Sequence, residues 1–467
     1  MWGARPRQDS NLRTWFRRPV LYPLSYGGGE LGSVPEALPF PAMRVGIGIL
    51  GGGVVGGSLA HKLLSERDSI TAKTGLDLEL VKVAVRDLDR TRPFPSDYAT
   101  DRPSDVVEDP DVKLVVELMG GMEPARTLVM AALEAGKPVV TANKQLVAAD
   151  GPDLFEQAAR KGVSILFEAA VGGGIPIIRP LSESLAGERL TSVMGIVNGT
   201  TNFILSQMSE HGASYTEVLA EAQSLGYAET DPSADVSGAD AAAKSAILAG
   251  LAFGVWVDVD RVHCEGIEAI ESTDIAFAAR LGYVVKLLGI AQATPDGVAV
   301  RVHPSLVPKD HPLASIRGPQ NAVFVEGPSV GELLFSGPGA GGTPTATAVL
   351  GDVVTAAREW LANTPVAPRV KIGSGEILDF GQVETQHYVR LEVEDAPGVL
   401  AAVAGTFGAA GVSIRSVWQE GRGEGATLLL ITHGAPEAAH RSAQKELGRI
   451  GSVRQVASVI RVIGDPA

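Results

Sequence analysis

The chain has 467 residues, 45% of them hydrophobic, 20% charged and 5% aromatic; this is too long for one core and too apolar for a disordered or fibrous protein, so roughly two to four globular domains are expected. A formal net charge of −14 excludes a general nucleic-acid binder, which needs a basic face. The single cysteine, Cys264, excludes internal disulfides and thiolate metal clusters and suits a reducing cytoplasm, and no apolar run approaches the ~18 residues of a membrane span.

Residues 1–42 carry five arginines against Asp9, Glu30 and Glu36, together with six prolines and no sustained periodicity. They read as a non-native or disordered extension rather than a secretory signal, which would need an apolar centre. Their text resembles a transfer-RNA gene and its flank translated by mistake, so Met43 is the expected natural start.

From Met43 an apolar run of strand length meets a glycine cluster and then a helix-like stretch, RVGIGILGGGVVGGSLAHKLL. Gly51, Gly53 and Gly56 form G-x-G-x-x-G: the first permits a tight turn, the second lets backbone approach a pyrophosphate, and the third lets helix pack on strand. With Val54 and Val55 at the helix start, this loop is a candidate dinucleotide site, because phosphates settle on a positive helix N-terminus. The next strand, 78–86, ends at Arg86, which suits a 2′-phosphate and favours NADP; the alternative is a surface arginine, with Asp87 holding the ribose of NAD. Further strands are expected at 112–118, 137–143 and 163–171, separated by helices, which is the alternation of a Rossmann-like doubly wound parallel sheet. Asn143, Lys144 and Glu168 stand at strand ends, where ligands bind in such sheets.

The texture changes after residue 175. Residues 176–336 read as an α+β catalytic and dimerisation domain, with a long helix at VMGIVNGTTNFILSQM and a strand at GVAVRVHPSLVP. A second glycine loop from Gly337 feeds a helix expected to return to the 43–175 domain within residues 337–380 and close the cofactor cleft. Residues 385–467 follow βαββαβ, a ferredoxin-like pattern.

The chemistry concentrates in GYAETDPSADVSGADAAAKSAILAGLAFG, 226–254. Asp240 and Lys244 are four apart on one helix face. A surface ion pair is the plain reading, but the helix turns apolar at once, and Glu229, Asp231 and Asp235 precede it. So many charges beside a buried helix are costly unless a polar ligand organises them.

Taken in order, GGGVVGG, VVTANK, FEAAVGGGIPII, NGTTNFIL, GYAETDPSADVSGADAAAK and GPGAGGTPTA resemble homoserine dehydrogenases over 43–380, and the tail resembles the amino-acid-binding ACT domain often fused to them. The resemblance implies NAD(P)-dependent interconversion of L-aspartate 4-semialdehyde and L-homoserine, in threonine, methionine and isoleucine biosynthesis. It assigns Lys244 as proton donor to the nascent alkoxide, Asp240 as the acid that positions the site, Glu229 and Asp235 as holders of the substrate ammonium, and Lys144 as a contact to cofactor and substrate. Gly199 and Gly341 join the cofactor loops. A structural sodium ion is implied at Glu168 and the carbonyls of Val171, Gly173 and Ile175, which is sound chemistry for a hard cation. Ala234 stands where some relatives carry an acid, leaving the ammonium pocket one charge fewer. The resemblance further implies a homodimer or homotetramer and L-threonine as effector at the loop Asp395–Gly398. The other enzymatic reading is a different amino-acid dehydrogenase; the non-enzymatic one is a sensor with a decayed catalytic face, against which Lys244 speaks. His303 and His311, each followed by proline, are expected in loops, and Cys264 as an unreactive packed thiol.

Overall fold

The computed structural model describes residues 43–363, 373, 375–421 and 425–464; the proposed extension 1–42, part of the return segment after 363 and the tip of the 421–425 turn lie outside the described residues. Parallel pairing builds the first sheet from β1 (Met43–Leu50), β2 (Leu76–Ala84), β3 (Ala99–Thr100), β4 (Leu114–Glu117), β5 (Val139–Thr141) and β6 (Ile165–Leu166), in the order β3-β2-β1-β4-β5-β6. Helices cover it: α1 (Val54–Ser65), α2 (Arg67–Thr74), α3 (Ser104–Glu108), α4 (Ala125–Glu134) and α5 (Lys144–Lys161). Being buried on both faces explains why MRVGIGIL runs apolar without alternation. The order reverses between β1 and β4, which opens the crevice where doubly wound sheets bind ligands.

Two expectations are corrected along this stretch and the next. The strand read over 163–171 is confined to Ile165–Leu166, and a 3-10 turn occupies Glu168–Ala170; the buried Glu168 carboxylate draws the chain out of the sheet by accepting hydrogen bonds from residues 177–179. The helix read from Val193 begins only at Gly199: Ser192–Ile196 is β7, and α6 (Gly199–His211) starts where the Asn198 side chain accepts the Thr201 N–H, an N-cap that fixes the boundary.

The middle of the chain continues with α7 (Tyr215–Ser224), α8 (Ser233–Val236), α9 (Ala239–Phe253), β8 (His263–Cys264), α10 (Ser272–Arg280), β9 (Tyr283–Thr294), β10 (Gly297–Pro308), β11 (Gln320–Gly327), β12 (Gly331–Pro338) and α11 (Gly342–Ala362). The last helix packs against the first domain. Its Ala346, Val349, Val353 and Ala356 join the core of β1, β2 and α1. Helices α5 and α9 meet around Trp256: a Cβ on Gly151 would lie 2.4 Å from its ring and one on Gly250 2.6 Å, and the indole N–H donates to Ala148 O at 3.1 Å. His303 is not in a loop. It is buried within β10, where Pro304 falls between the stretches pairing with β8 and with the C-terminal strand. Cys264 is exposed as a residue on short β8, but its sulfur packs against the 237–238 backbone: the thiol donates to Ser237 O, and burial of the sulfur, then the Glu265 charge, raises its pKa.

The C-terminal unit is β13 (Glu384–Val393), α12 (Val399–Ala409), β14 (Ile414–Glu420), β15 (Ala426–Thr432), β16 (Ala435–Pro436), α13 (Glu437–Leu447) and β17 (Val453–Val462), the expected βαββαβ with a two-residue strand added. Its sheet does not stand apart. β17 pairs in parallel with β10 at Ser305↔Arg461 and Leu306↔Val462, giving one sheet of 11 strands among the described residues, with β12 and β14 at its ends.

Gly151→Ala is expected to cost roughly 1–3 kcal/mol by overpacking, although alanine for glycine within a helix ordinarily gains about 0.5–1 kcal/mol. Urea unfolding of the two proteins measures the sign.

Candidate functional site

Each glycine of G-x-G-x-x-G meets a different constraint. Gly51 has φ +107 and a Cβ there would lie 2.6 Å from Leu118 O; one on Gly56 would lie 1.9 Å from Gly51 O; one on Gly53 would meet nothing within 4 Å. The first makes the turn, the third brings helix onto turn, and the second faces open space. Gly51 and Gly52 both donate to Ala84 O at the end of β2, at 3.0 and 3.1 Å, which sets exposed Arg86 two residues beyond, beside the same loop. Val54 is 76% exposed at the start of α1. The second glycine loop closes on this point, since a Cβ on Gly342 would lie 2.9 Å from Val54 Cγ1 and 2.8 Å from Ser58 Oγ, and Gly341, with φ +121, is the N-cap of α11. Two helix N-termini therefore meet beside open space, an arrangement suited to phosphate anions.

Lys144 begins α5, and Lys244 lies on α9. The packing of these helices brings both ammonium groups onto one carboxylate: Lys144 Nζ is 2.6 Å from Asp240 Oδ1, and Lys244 Nζ is 2.7 Å from Asp240 Oδ2. Burial pushes the Asp240 carboxyl toward protonation, but the two lysine charges overcome it and hold its pKa well below the usual range. Lys244 also donates to Val197 O at 2.7 Å. An ammonium has three donors, so one remains for a ligand. Asn198 donates to Asp240 Oδ2 at 3.0 Å and Asp235 Oδ1 at 2.7 Å, and Thr200 Oγ1 donates to Asp235 Oδ2 at 3.1 Å. Gly199 sits between these two at the start of α6. The Glu229 side chain stays apart, exposed on the loop before α8.

Sequence reasoning gave no role to Asn198, Thr200, Glu117 or Asp352. Asn198 had a legible signal, an N-cap residue ahead of a helix. Glu117 is fully buried and accepts from Met119 N, Gly120 N and Thr141 Oγ1, and Thr141 Oγ1 in turn accepts from Asn143 N, so this acid shapes the strand ends ahead of Lys144. Asp352 of α11 accepts from Glu168 N at 2.8 Å and from Arg179 Nη2 at 2.5 Å; burial pushes its carboxyl up to about 6.

Around Glu168, the carboxylate accepts from the N–H groups of Ile177, Ile178 and Arg179, leaving one of its roughly four acceptor directions open. No hydrogen bond to the carbonyls of Val171, Gly173 or Ile175 is found among the described residues. Since buried carbonyls are ordinarily paired, these oxygens fit a hard cation. Gly173, with φ +56, is also where the second glycine loop crosses: a Cβ would lie 2.3 Å from Gly339 O.

Residues 51–168 match the family model described as homoserine dehydrogenase, NAD binding domain, residues 176–354 the homoserine dehydrogenase model, and residues 387–449 the ACT domain. A homoserine dehydrogenase of Synechocystis sp. is 44% identical over 432 residues, covering 90% of this chain and 100% of the relative. The crystal structure of a homoserine dehydrogenase from Thiobacillus denitrificans superposes with a TM-score of 0.86 at 41% identity, covering 92% of this chain and 100% of that one. A hyperthermophilic archaeal homoserine dehydrogenase solved in complex with NADPH aligns with a TM-score of 0.56 at 29% identity over 68% of this chain and 98% of its own.

Because a Cβ on Gly53 meets only open space, Gly53→Val should keep its melting temperature while losing dinucleotide affinity. Gly56→Ala, forced against Gly51 O, should lose both. Thermal melts and a dinucleotide titration on the same samples separate the two outcomes.

Proposed function

The chain belongs to the homoserine dehydrogenase family of NAD(P)-dependent oxidoreductases, and on that footing we propose that the cluster Lys144–Asp240–Lys244 reduces L-aspartate 4-semialdehyde to L-homoserine and runs the reverse oxidation. The observation carrying this is the convergence of two lysines on one buried aspartate beside Asn198 and Asp235. The nicotinamide cofactor supplies the hydride when bound. Lys244, with one N–H unspent, donates a proton to the oxygen where charge develops. Asp240 holds and aims both lysines. Lys144, 37% exposed, is free to contact cofactor and substrate together. Asp235, oriented by Asn198 and Thr200, takes the substrate ammonium, with Glu229 as the second acid assigned to it. Glycine residues 51, 53, 56, 199 and 341, with Val54 and Val55, line the dinucleotide.

Arg86 beside the glycine loop favours NADP over NAD. A sodium ion held by Glu168 and the carbonyls of Val171, Gly173 and Ile175 would stiffen the crossing of the two glycine loops. The ACT unit binds L-threonine at Asp395–Gly398, where Gly398, with φ +92, is the N-cap of α12, and a helix N-terminus suits a carboxylate. These roles fit a cytoplasmic enzyme of threonine, methionine and isoleucine synthesis. The open edge of β12, with Leu334 exposed, supports assembly as a homodimer or homotetramer.

L-Homoserine oxidation, followed at the absorbance of reduced nicotinamide, tests the reading. Lys244→Ala should lower turnover by about 100- to 10,000-fold and spare cofactor binding; near-normal turnover would remove Lys244 from the chemistry. The same assay with L-threonine added, and with choline replacing sodium, tests effector and ion. In Arg86→Ala the KM for NADP should rise more than that for NAD, and an equal rise would remove the argument for NADP.

A further inference from the structure

The C-terminal strand β17 reaches into the catalytic unit with a charge. Arg461 is buried where β17 pairs with β10, and its guanidinium lies between two carboxylates: Glu437 at the start of α13, at 2.5 Å from Nη2, and Glu265 just past β8, bonded to Nη1. Glu437 is fully buried and also accepts from His387 at 2.9 Å, so it anchors Arg461 within its own unit. Glu265 faces the other way. Its second oxygen takes His263 Nε2 at 2.8 Å, and although burial pushes the carboxyl up, the hydrogen bonds from His263 and Arg461 hold it down at about 2.

Segment 264–267, which carries Glu265, is in backbone contact with the loop between α8 and α9. Ile267 N donates to Val236 O at 2.9 Å, and Cys264 Sγ donates to Ser237 O at 3.2 Å. A Cβ on Gly266 would lie 2.2 Å from Val236 O, and one on Gly238, whose φ is +88, would lie 2.9 Å from Cys264 Sγ. The two segments have no slack between them. Asp235 precedes this contact and Asp240 follows it, so a shift of 264–267 moves both acids of the site.

We propose that Arg461 is a positioning residue for the Asp235–Asp240 segment, acting from the C-terminal unit through Glu265; this rests on the reading of that segment as the homoserine site. Interface and loop contacts of this kind transmit because packed elements move as bodies rather than deform. The glycine loops at 51–56 and 341–342 lie on other elements, so the effect falls first on the substrate side and reaches the cofactor only through Lys144 and Gly199.

The experiment uses the full chain and compares Arg461→Met, Glu265→Gln, their double variant and Arg461→Lys in homoserine oxidation. Arg461→Met and Glu265→Gln should each raise the KM for homoserine roughly 3- to 30-fold and raise the KM for the cofactor by a clearly smaller factor. The double variant should be no worse than either single one, and Arg461→Lys should recover most of the loss. Homoserine and cofactor KM rising by equal factors, an unaltered homoserine KM, or additive losses would each overturn the proposal. Should Arg461→Met not fold, Glu265→Gln decides alone, because it leaves Arg461 paired with Glu437. A parent chain that does not oxidise homoserine overturns the reading of the site and this proposal with it, whereas an active parent with variant KM values unmoved overturns this proposal only.

Discussion

Asp240 is a buried carboxylate held between two ammonium groups, and the surrounding architecture is arranged to make that tolerable. Removing one partner of a buried ion pair leaves an uncompensated charge, at a typical cost of about 3–5 kcal/mol, so α5 and α9 must stay in register for the site to exist. The wedge that fixes their spacing is Trp256 against Gly151 and Gly250. Each glycine there has no side chain because an indole occupies its place. The two lysines come from positions 100 residues apart in sequence, and the aspartate is their common point of assembly.

A second layer of organisation lies in the glycine loops. Segments 172–174 and 339–342 cross through backbone at Gly173 and Gly339, and Gly342 then meets the side chains of Val54 and Ser58 on α1. Asp352 ties α11 to the start of the 168–170 turn and to Arg179. That tie secures the returning helix against the first domain.

Much of the fold was legible because period and punctuation agree: the parallel sheet from uniformly apolar runs, the ferredoxin-like unit from its turns, the dinucleotide loop from its glycines. The errors have local physical causes. VMGIV and NGTTNFILSQM share apolar character, and only the cap at Asn198 separates strand from helix. His303 precedes a proline and so reads as loop, yet Pro304 falls between two pairings of β10 and the strand persists. Asp240 and Lys244 were visible as an i, i+4 pair, while the approach of Lys144 to the same carboxylate is tertiary and leaves no local mark. Asn198 carried a cap signal but none for its bonds to Asp235 and Asp240. Nor does anything in the tail announce that its last described strand continues the catalytic sheet.

That continuation bears on the order in which the molecule can be assembled. β10 acquires its partner at Ser305 and Leu306 only after everything from β11 to α13 has been synthesised. Until then it presents unpaired backbone groups along that margin, a template for wrong pairing with another chain, and the closure is a long-range contact of the slow-forming kind. A nascent chain would therefore carry a substrate domain whose β10 margin stays open until β17 of the same polypeptide closes it.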